Sequence, residues 1–184
     1  MNKLLILGSI AFDQIETPFG KSNAIMGGSA NYIALAAAQF EVPSAVISIV
    51  GDDYPQDYLN LLSQRHIDVS GIEIVHGGKT LFWSGKYRND MNQRDTLDTQ
   101  LNVLANFKPV VPEAFRNAEV LLLGNLHPTL QMDVLDQMLS RPKLVVMDTM
   151  NYWMNHTWDL LMEVVTRVDM ITINDEEARQ LTKE

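Results

Sequence analysis

Short apolar runs alternate with helix-like segments along the whole chain, and this alternation restricts the fold more than any other feature. Each run is long enough for one buried strand, and most end at a glycine or a polar residue, as strands of a parallel sheet do. The predicted strands are Lys3–Gly8, Ala45–Val50, Glu119–Gly124, Lys143–Asp148 and Asp169–Ile173. Repeated β-α units of this kind predict an α/β fold with a mostly parallel sheet covered by helices on both faces.

Segments with apolar residues at helical spacing separate these runs. A pair of acidic residues, Asp52 and Asp53, precedes the second segment and is expected to cap its helix. The predicted helices are Ala30–Phe40, Tyr54–Arg65, Thr129–Ser140, Thr157–Arg167 and Asn174–Thr182.

The stretch from Ile72 to Tyr87 follows a different pattern. The turn-forming residues His76–Gly78 separate Ile72–Val75 from Thr80–Tyr87, which predicts an antiparallel hairpin. Its outer face is expected to carry three aromatic side chains, those of Phe82, Trp83 and Tyr87. An aromatic surface of this size favours contact with a ligand, another subunit or the main body of the protein.

The composition narrows the classes of partner. Hydrophobic residues make up 46% of the 184 residues, there is no cysteine, and the formal net charge is −9. An acidic surface repels nucleic acids and anionic membranes, so we expect no nucleic-acid and no membrane partner. Without cysteine, disulfides and thiolate metal sites are excluded. A cytoplasmic protein is therefore expected.

Polar residues follow the predicted strands, where open α/β sheets bind their ligands. Asp13 comes soon after the first strand, and a carboxylate at that place can accept hydrogen bonds from vicinal hydroxyls of a sugar or polyol. Gly27 and Gly28 precede a helix and allow the backbone to approach a ligand closely. Each feature alone is also typical of an ordinary turn or helix cap.

Taken in order, these motifs resemble the PfkB/ribokinase family of carbohydrate kinases. An early aspartate and the segment Gly27–Ala38 look like its N-terminal signature, and Val50–Asp53 is similar to its valine-glycine-x-aspartate turn. Asp148–Trp153 looks like its aspartate-x-x-asparagine strand end, and Asn174–Glu177 matches its Asn-x-x-Glu motif. The resemblance covers the whole chain.

The resemblance implies a ribokinase-like three-layer α/β/α fold with a mostly parallel central sheet, a small β-sheet lid over about residues 11–20 and 72–100, and the cofactors ATP and Mg²⁺. Asn174 and Glu177 can equally form a local capping box. The substrate-binding residues it implies are Asp13, Gly27, Gly28, Ser29, Asn31, Phe82 and Asn125. The residues it implies for the nucleotide and Mg²⁺, with no direct metal ligand, are Asn174, Glu177 and Asp148.

The family's C-terminal Gly-Ala-Gly-Asp element, whose aspartate is the catalytic base, has no counterpart here, because no Gly-x-Gly-Asp string occurs. We therefore expect no catalytic residue within the chain and a base that lies C-terminal to Glu184. Residues 1–184 are then expected to form one incomplete domain, truncated at its C-terminus, that does not turn over by itself.

The identity of the acceptor stays open among a sugar, inositol and a nucleoside. The lid could also form a homodimer. The alternative to a kinase is a non-catalytic sugar- or nucleoside-binding module on the same fold.

Overall fold

Two β-sheets and six α-helices make up the computed structural model, which describes residues 4–89, 91 and 94–183. The strands are β1 (Leu4–Leu7), β2 (Ala11–Thr17), β3 (Gly20–Lys21), β4 (Ile25–Gly27), β5 (Ser44–Gly51), β6 (Ile67–Val75), β7 (Leu81–Tyr87), β8 (Arg94–Gln100), β9 (Val120–Leu123), β10 (Leu144–Asp148) and β11 (Met170–Thr172). The helices are α1 (Ser29–Ala38), α2 (Gln56–Gln64), α3 (Pro128–Gln137), α4 (Asn151–His156), α5 (Trp158–Val165) and α6 (Asp175–Thr182).

Six parallel strands form the large sheet, in the order β11-β10-β9-β1-β5-β6. Its middle strand β1 is buried on both faces: Leu4 and Ile6 pack with α1 and α2, and Leu5 and Leu7 pack with α3 and α5. A strand covered on both faces must be apolar at every position, which explains the unbroken run of leucine and isoleucine. The predicted mostly parallel sheet with helices on both faces is confirmed.

The small sheet consists of β3, β2, β7 and β8 in that order, with β4 paired to β2. Within it β2 and β7 run parallel, while β7 and β8 form an antiparallel pair. Strands β2, β3 and β4 lie between β1 and α1 in the chain, and β2 pairs with β4. The small sheet is therefore connected to the carboxyl end of β1.

The predicted antiparallel hairpin of residues 72–75 with residues 80–87 is wrong. Residues 72–75 are the end of β6, which pairs with β5 in parallel and is the edge strand of the large sheet. β7 instead pairs with β2 and β8 in the small sheet. The turn at residues 76–78 connects the two sheets, because β6 before it belongs to the large sheet and β7 after it belongs to the small sheet.

The predicted capping of the second helix by Asp52 or Asp53 is also wrong. α2 begins after Pro55, and no side chain caps it. Asp52 accepts a hydrogen bond from the Gly77 backbone N–H, 2.8 Å away. Asp53 Oδ1 accepts from both the backbone N–H (2.8 Å) and the hydroxyl (2.7 Å) of Thr80. Both carboxylates therefore fasten the connection between the two sheets.

Replacing Asp53 with alanine is expected to destabilise the protein by about 2–3 kcal/mol, because the buried Thr80 would lose the acceptor of two charge-assisted hydrogen bonds. The matched control Asp52→Ala removes one exposed hydrogen bond and should cost about 0.5–1 kcal/mol. Urea unfolding of both variants measures the difference. Equal losses of unfolding free energy would contradict this account of the connection.

Some sequence expectations concern residues outside the described ranges. Lys3, where the first strand is predicted to begin, is one of them, and Glu184, beyond which the catalytic base is expected, is another. Three residues of the predicted lid segment also lie outside these ranges, namely Asp90, Asn92 and Gln93. In the described ranges, each helix is too short or too polar to span a bilayer.

Candidate active site

The carboxyl ends of the six parallel strands lie along one edge of the large sheet, and the candidate site is built on this edge. The Gly124 backbone N–H donates to the Leu7 carbonyl oxygen at 2.7 Å, which joins the ends of β9 and β1. Ser29, the first residue of α1, packs so closely that a Cβ added to Gly8 or to Gly124 would lie 2.7 Å from its hydroxyl oxygen. The start of α1 is thereby fixed against two strand ends.

Asp13 lies beside the paired glycines that precede α1. In the pairing of β2 with β4, Asp13 is opposite Ile25, and a Cβ added to Gly27 would overlap the Asp13 carboxylate. Burial raises the pKa of the Asp13 carboxyl, and a backbone hydrogen bond from Gly28 lowers it in part. The structure thus brings Asp13, Gly27 and Gly28 together. The Asp13 carboxylate is poorly hydrated there and can accept hydrogen bonds from a ligand.

Ser29 and the side-chain nitrogen of Asn31 form hydrogen bonds within the protein, whereas the buried Asn31 Oδ1 has no hydrogen-bond partner among the described residues. The Ser29 N–H donates to the Ser9 hydroxyl, and the Ser9 N–H donates to the Ser29 hydroxyl, both at 3.2 Å. Asn31 is 1% exposed, and its Nδ2 donates to the Gly27 carbonyl oxygen at 2.5 Å and to the Tyr54 hydroxyl at 3.1 Å. Both side chains hold the Gly27–Gly28 segment in place. Their predicted contact with substrate stays a prediction.

Phe82 and Trp83 occupy opposite faces of the small sheet, so the predicted common face of these aromatics is wrong. Phe82 pairs with Phe12 and Trp83 pairs with Asp13, and successive residues of a strand alternate between faces. Phe12 packs on Tyr54, with ring centroids 5.4 Å apart. Trp83 therefore shares the face of Asp13, and Phe82 lies on the other. The predicted role of Phe82 over the substrate stays a prediction.

Sequence reasoning missed Trp83 as a site residue. Its indole lies along β7 over Gly85, where an added Cβ would collide with the ring, and its Nε1 is 3.4 Å from the Thr96 hydroxyl. The spacing of Trp83 and Gly85 at positions i and i+2 was the available signal, because residues two apart on a strand share a face. This spacing alone does not assign Trp83 to the site, because the face of the small sheet that carries Asp13 must also be known.

On the other side of the edge, Gln131 of α3 ties together the ends of β9 and β10. Its Nε2 donates to the carbonyl oxygens of Gly124 (3.0 Å) and Asp148 (3.1 Å). Asn125 Oδ1 accepts a 2.8 Å hydrogen bond from the Trp153 indole. The predicted residues Asn125 and Asp148 thus lie on neighbouring strand ends, with the Asn125 oxygen engaged by an internal partner.

Asn174 and Glu177 form the capping box that the sequence allows. Asn174 Oδ1 accepts from the Glu177 N–H at 2.8 Å, and Glu177 Oε2 accepts from the Asn174 N–H at 3.0 Å. The box begins α6 directly after β11, so the helix N-terminus faces the edge of the sheet that carries Asp148. The backbone N–H groups of a helix N-terminus favour an anionic ligand, whereas the three acidic side chains in the first turn of α6 oppose one unless a cation is present.

A cavity of about 360 Å³ separates β8 from the loops after β10 and β11. The small sheet contributes both cationic and acidic side chains to it, and the large domain contributes amide and carboxylate groups. The lining residues are Arg88, Arg94, Asp95, Thr96, Met150, Asn151, Asn174, Glu176 and Glu177. The cavity therefore lies between the predicted nucleotide-binding residues Asn174 and Glu177 and strand β8 of the small sheet.

Asp148 has the most perturbed carboxyl at this edge. Burial, and secondarily the nearby charge of Glu177, raise its pKa to about 6, while the Thr149 backbone N–H and the charge of Arg94 lower it in part. These couplings place Asp148, Glu177 and Arg94 near one another. The group is therefore charged at neutral pH only at some cost in stability.

We expect the ionisation of Asp148 to lower the free energy of unfolding as pH rises from about 4 to about 6, by on the order of 1–3 kcal/mol. Between the ordinary Asp pKa of 3.8 and the folded-state pKa of about 6, the folded protein binds more protons than the unfolded chain, so raising the pH favours unfolding. Asp148→Asn should remove this contribution, so the variant should gain stability relative to the parent as pH rises over this range, while the contributions of the other carboxyls are common to both proteins. Urea unfolding at several pH values measures it, and identical slopes in variant and parent would contradict it.

The acidic groups at this edge suit magnesium bound together with phosphates. In the described part of the chain, no cluster of three His, Asp or Glu side chains could hold a metal directly. Mg²⁺ commonly keeps several waters and uses one or two carboxylates plus substrate phosphates. Asp148 and Glu177, beside the N-terminus of α6, meet that requirement.

Comparison with known proteins gives one family and several relatives. The family described as pfkB family carbohydrate kinase matches residues 1–184. Among curated proteins, the cytidine kinase of Thermococcus kodakarensis is 27% identical over 190 residues, covering 99% of this chain and 65% of that protein. The chain thus spans about 65% of the length of this relative.

Solved structures match nearly the whole length of this chain. The nucleoside kinase of Methanocaldococcus jannaschii, an archaeal member of the ribokinase family, superposes with a TM-score of 0.79 at 18% identity, covering 100% of this chain and 64% of that one. The Burkholderia thailandensis nucleoside kinase in complex with ADP-inosine gives a TM-score of 0.79 at 16% identity, covering 98% and 62%. At these identities the likeness shows the fold, and the predicted ribokinase-like architecture is confirmed.

Proposed function

The chain belongs to the pfkB family of carbohydrate kinases, and on this premise we propose that it carries the acceptor-binding and phosphate-binding groups of an ATP-dependent kinase. The acceptor is a sugar or a related polyol or nucleoside, and the product is its phosphate ester. Of these acceptors we favour a nucleoside, since the curated relative is a cytidine kinase and two structural neighbours are nucleoside kinases.

One observation carries the proposal: a partly buried carboxylate, Asp13, lies against Gly27 and Gly28 where α1 begins, and α1 begins at the same edge of the large sheet as α6. Two carboxylate oxygens can accept hydrogen bonds from two vicinal hydroxyls, such as those of a ribose. The small sheet, with Trp83 on the face of Asp13, would then cover the acceptor and exclude water that could compete for the phosphoryl group.

Phosphoryl transfer would occur between this acceptor and ATP bound near α6. The acceptor oxygen forms a bond to the γ-phosphorus, the bond to the bridging oxygen breaks, and its electron pair leaves with ADP. Mg²⁺ held by water through Asp148 and Glu177 would neutralise phosphate charge. The hydroxyl proton would pass to the aspartate of a Gly-Ala-Gly-Asp element, which the 184 residues do not contain and which we expect C-terminal to Glu184.

The test is an assay of the complete gene product for ADP release and for acceptor phosphorylation. The acceptor panel includes cytidine, inosine, ribose and myo-inositol. We expect ADP and phosphorylated nucleoside in equal amounts, and no turnover by residues 1–184 alone. Absence of ATP-dependent phosphorylation of every acceptor would overturn the kinase assignment.

The alternative is a non-catalytic sugar- or nucleoside-binding module on the same fold. It predicts thermal stabilisation by cytidine or ribose without consumption of ATP by the complete gene product.

We further propose that the protein is cytoplasmic, where ATP is available, and that it forms a homodimer through the small sheet. Light scattering that gives a monomer mass would contradict the dimer.

A further inference from the structure

Arg94 of β8 reaches from the small sheet into the cavity beside α6, and we propose that it binds the phosphoryl group that is transferred. The inference rests on the proposed kinase function and adds a cation to it that no family motif in this sequence names. Arg94 lines the cavity together with Asn151, Asn174 and Glu177, whereas Asp13 does not line it. Its position therefore corresponds to the phosphate side of the site rather than to the acceptor hydroxyls.

The position of Arg94 is set by the face of the small sheet that carries Trp83. Arg94 pairs with Tyr87 across β7 and β8, and its Cζ lies 5.9 Å from the centroid of the Trp83 ring. Trp83 can lie along β7 because Gly85 has no Cβ. An exposed cation–π contact is weak, so the guanidinium can move from the indole to a phosphate at small cost.

The cavity beside α6 has several acidic side chains in its lining, so a bound phosphate would need a cation there. The acidic side chains of Asp95, Glu176 and Glu177 line the cavity in which the phosphates would lie, and each would repel them. The other arginine, Arg88, forms a hydrogen-bonded ion pair with Asp95 at 2.9 Å. Arg94, by contrast, has no ion pair with any residue in the described ranges, although its charge acts on Asp148.

A cation on the small sheet has a further consequence. If acceptor binding draws the small sheet over the site, the same movement brings Arg94 to the γ-phosphoryl group, so that its charge is stabilised when the acceptor is in place. Arginine groups that stabilise a transferring phosphoryl group contribute rate factors of about 10³ or more. Removing Arg94 should therefore lower kcat more than it changes the KM of the acceptor.

The experiment compares Arg94→Gln, Arg94→Lys and the control Lys86→Gln in the complete gene product. Lys86 is also a cation of β7–β8, but it pairs with Glu16 at 2.6 Å and lies outside the cavity beside α6. We expect Arg94→Gln to lower kcat by roughly 10²–10³-fold, with acceptor KM within about threefold, and Arg94→Lys to recover part of the loss. Lys86→Gln should stay within about threefold of the parent.

Equilibrium binding separates this inference from the kinase assignment. With cytidine present, Arg94→Gln should weaken the binding of a non-hydrolysable ATP analogue, which has a γ-phosphoryl group, by at least about tenfold more than the binding of ADP, which lacks one. If the parent has no kinase activity but this selective loss occurs, the inference stands and the proposed catalysis fails. Three results would overturn the role of Arg94: an unchanged kcat in an active enzyme, an equal loss of affinity for both nucleotides, or a loss of affinity for the phosphorylated acceptor cytidine monophosphate alone.

Discussion

Replacing Asp13 with asparagine is expected to lower kcat/KM for the acceptor by roughly 10²–10³-fold while making the folded protein more stable. The acceptor loses hydrogen bonds to a charged group, each of which contributes about 1.5–3 kcal/mol. Asparagine has nearly the same shape and keeps one oxygen for the Gly28 N–H, so the loss reports on charge and on acceptor binding rather than on packing.

The gain in stability follows from the direction of the Asp13 pKa. Burial raises this pKa above the ordinary value of 3.8, so the folded protein holds the proton more tightly than the unfolded chain. The carboxyl group of Asp13 therefore lowers stability progressively as pH rises from about 3.8 through the folded-state pKa, and the full loss is present above that pKa. Below about 3.8 the carboxyl is protonated in both the folded and the unfolded protein, and it costs no stability there. The advantage of Asp13→Asn in melting temperature should be present at pH 7 and vanish in acid.

Acceptor titrations and thermal unfolding at pH 4 and pH 7 measure both effects in one pair of proteins. The matched control is Asp98→Asn, an exposed aspartate of β8 that accepts a hydrogen bond from Gln100. The control should change neither kcat/KM nor melting temperature appreciably. A stable Asp13→Asn variant with full activity would remove Asp13 from the acceptor site.

Much of the large sheet could be predicted because its strands are buried on both faces. A run such as Leu4–Leu7 leaves few alternatives to a central parallel strand. The failure at residues 72–87 has the opposite cause. A turn between two short apolar runs is compatible with a hairpin. In the structure, however, β6 pairs with β5 and β7 pairs with β2, and these partners lie far from the turn in sequence.

The candidate site divides in the same way. Asp13 and the glycine pair could be predicted from local chemistry, because a turn that packs on a carboxylate needs residues without Cβ atoms. Trp83 and Arg94 could not, since their relation to Asp13 depends on strand alternation combined with the registers of β2, β7 and β8. Those registers are fixed by tertiary pairing and leave no local signal.

Replacing Gly28 with alanine is expected to produce the largest loss of stability of the variants considered, about 3–5 kcal/mol. Gly28 has φ 92° and ψ 145°, a conformation that L-residues rarely adopt. An added Cβ would also collide with the carbonyl oxygen of Ser9, a backbone atom that already accepts a hydrogen bond from Ala30. Relief of the collision would have to move β1 and α1 apart.

Gly77→Ala separates the two contributions to this loss. Gly77 also has a positive φ, of 72°, but an added Cβ meets nothing within 4 Å, so alanine there should cost only about 1–2 kcal/mol. The excess in Gly28→Ala then measures the close approach of the glycine segment to the end of β1. Urea unfolding of both variants gives the comparison. Equal losses would mean that the segment does not need its close contact with Ser9, and the rigid placement of Asp13 against the paired glycines would lose its physical basis.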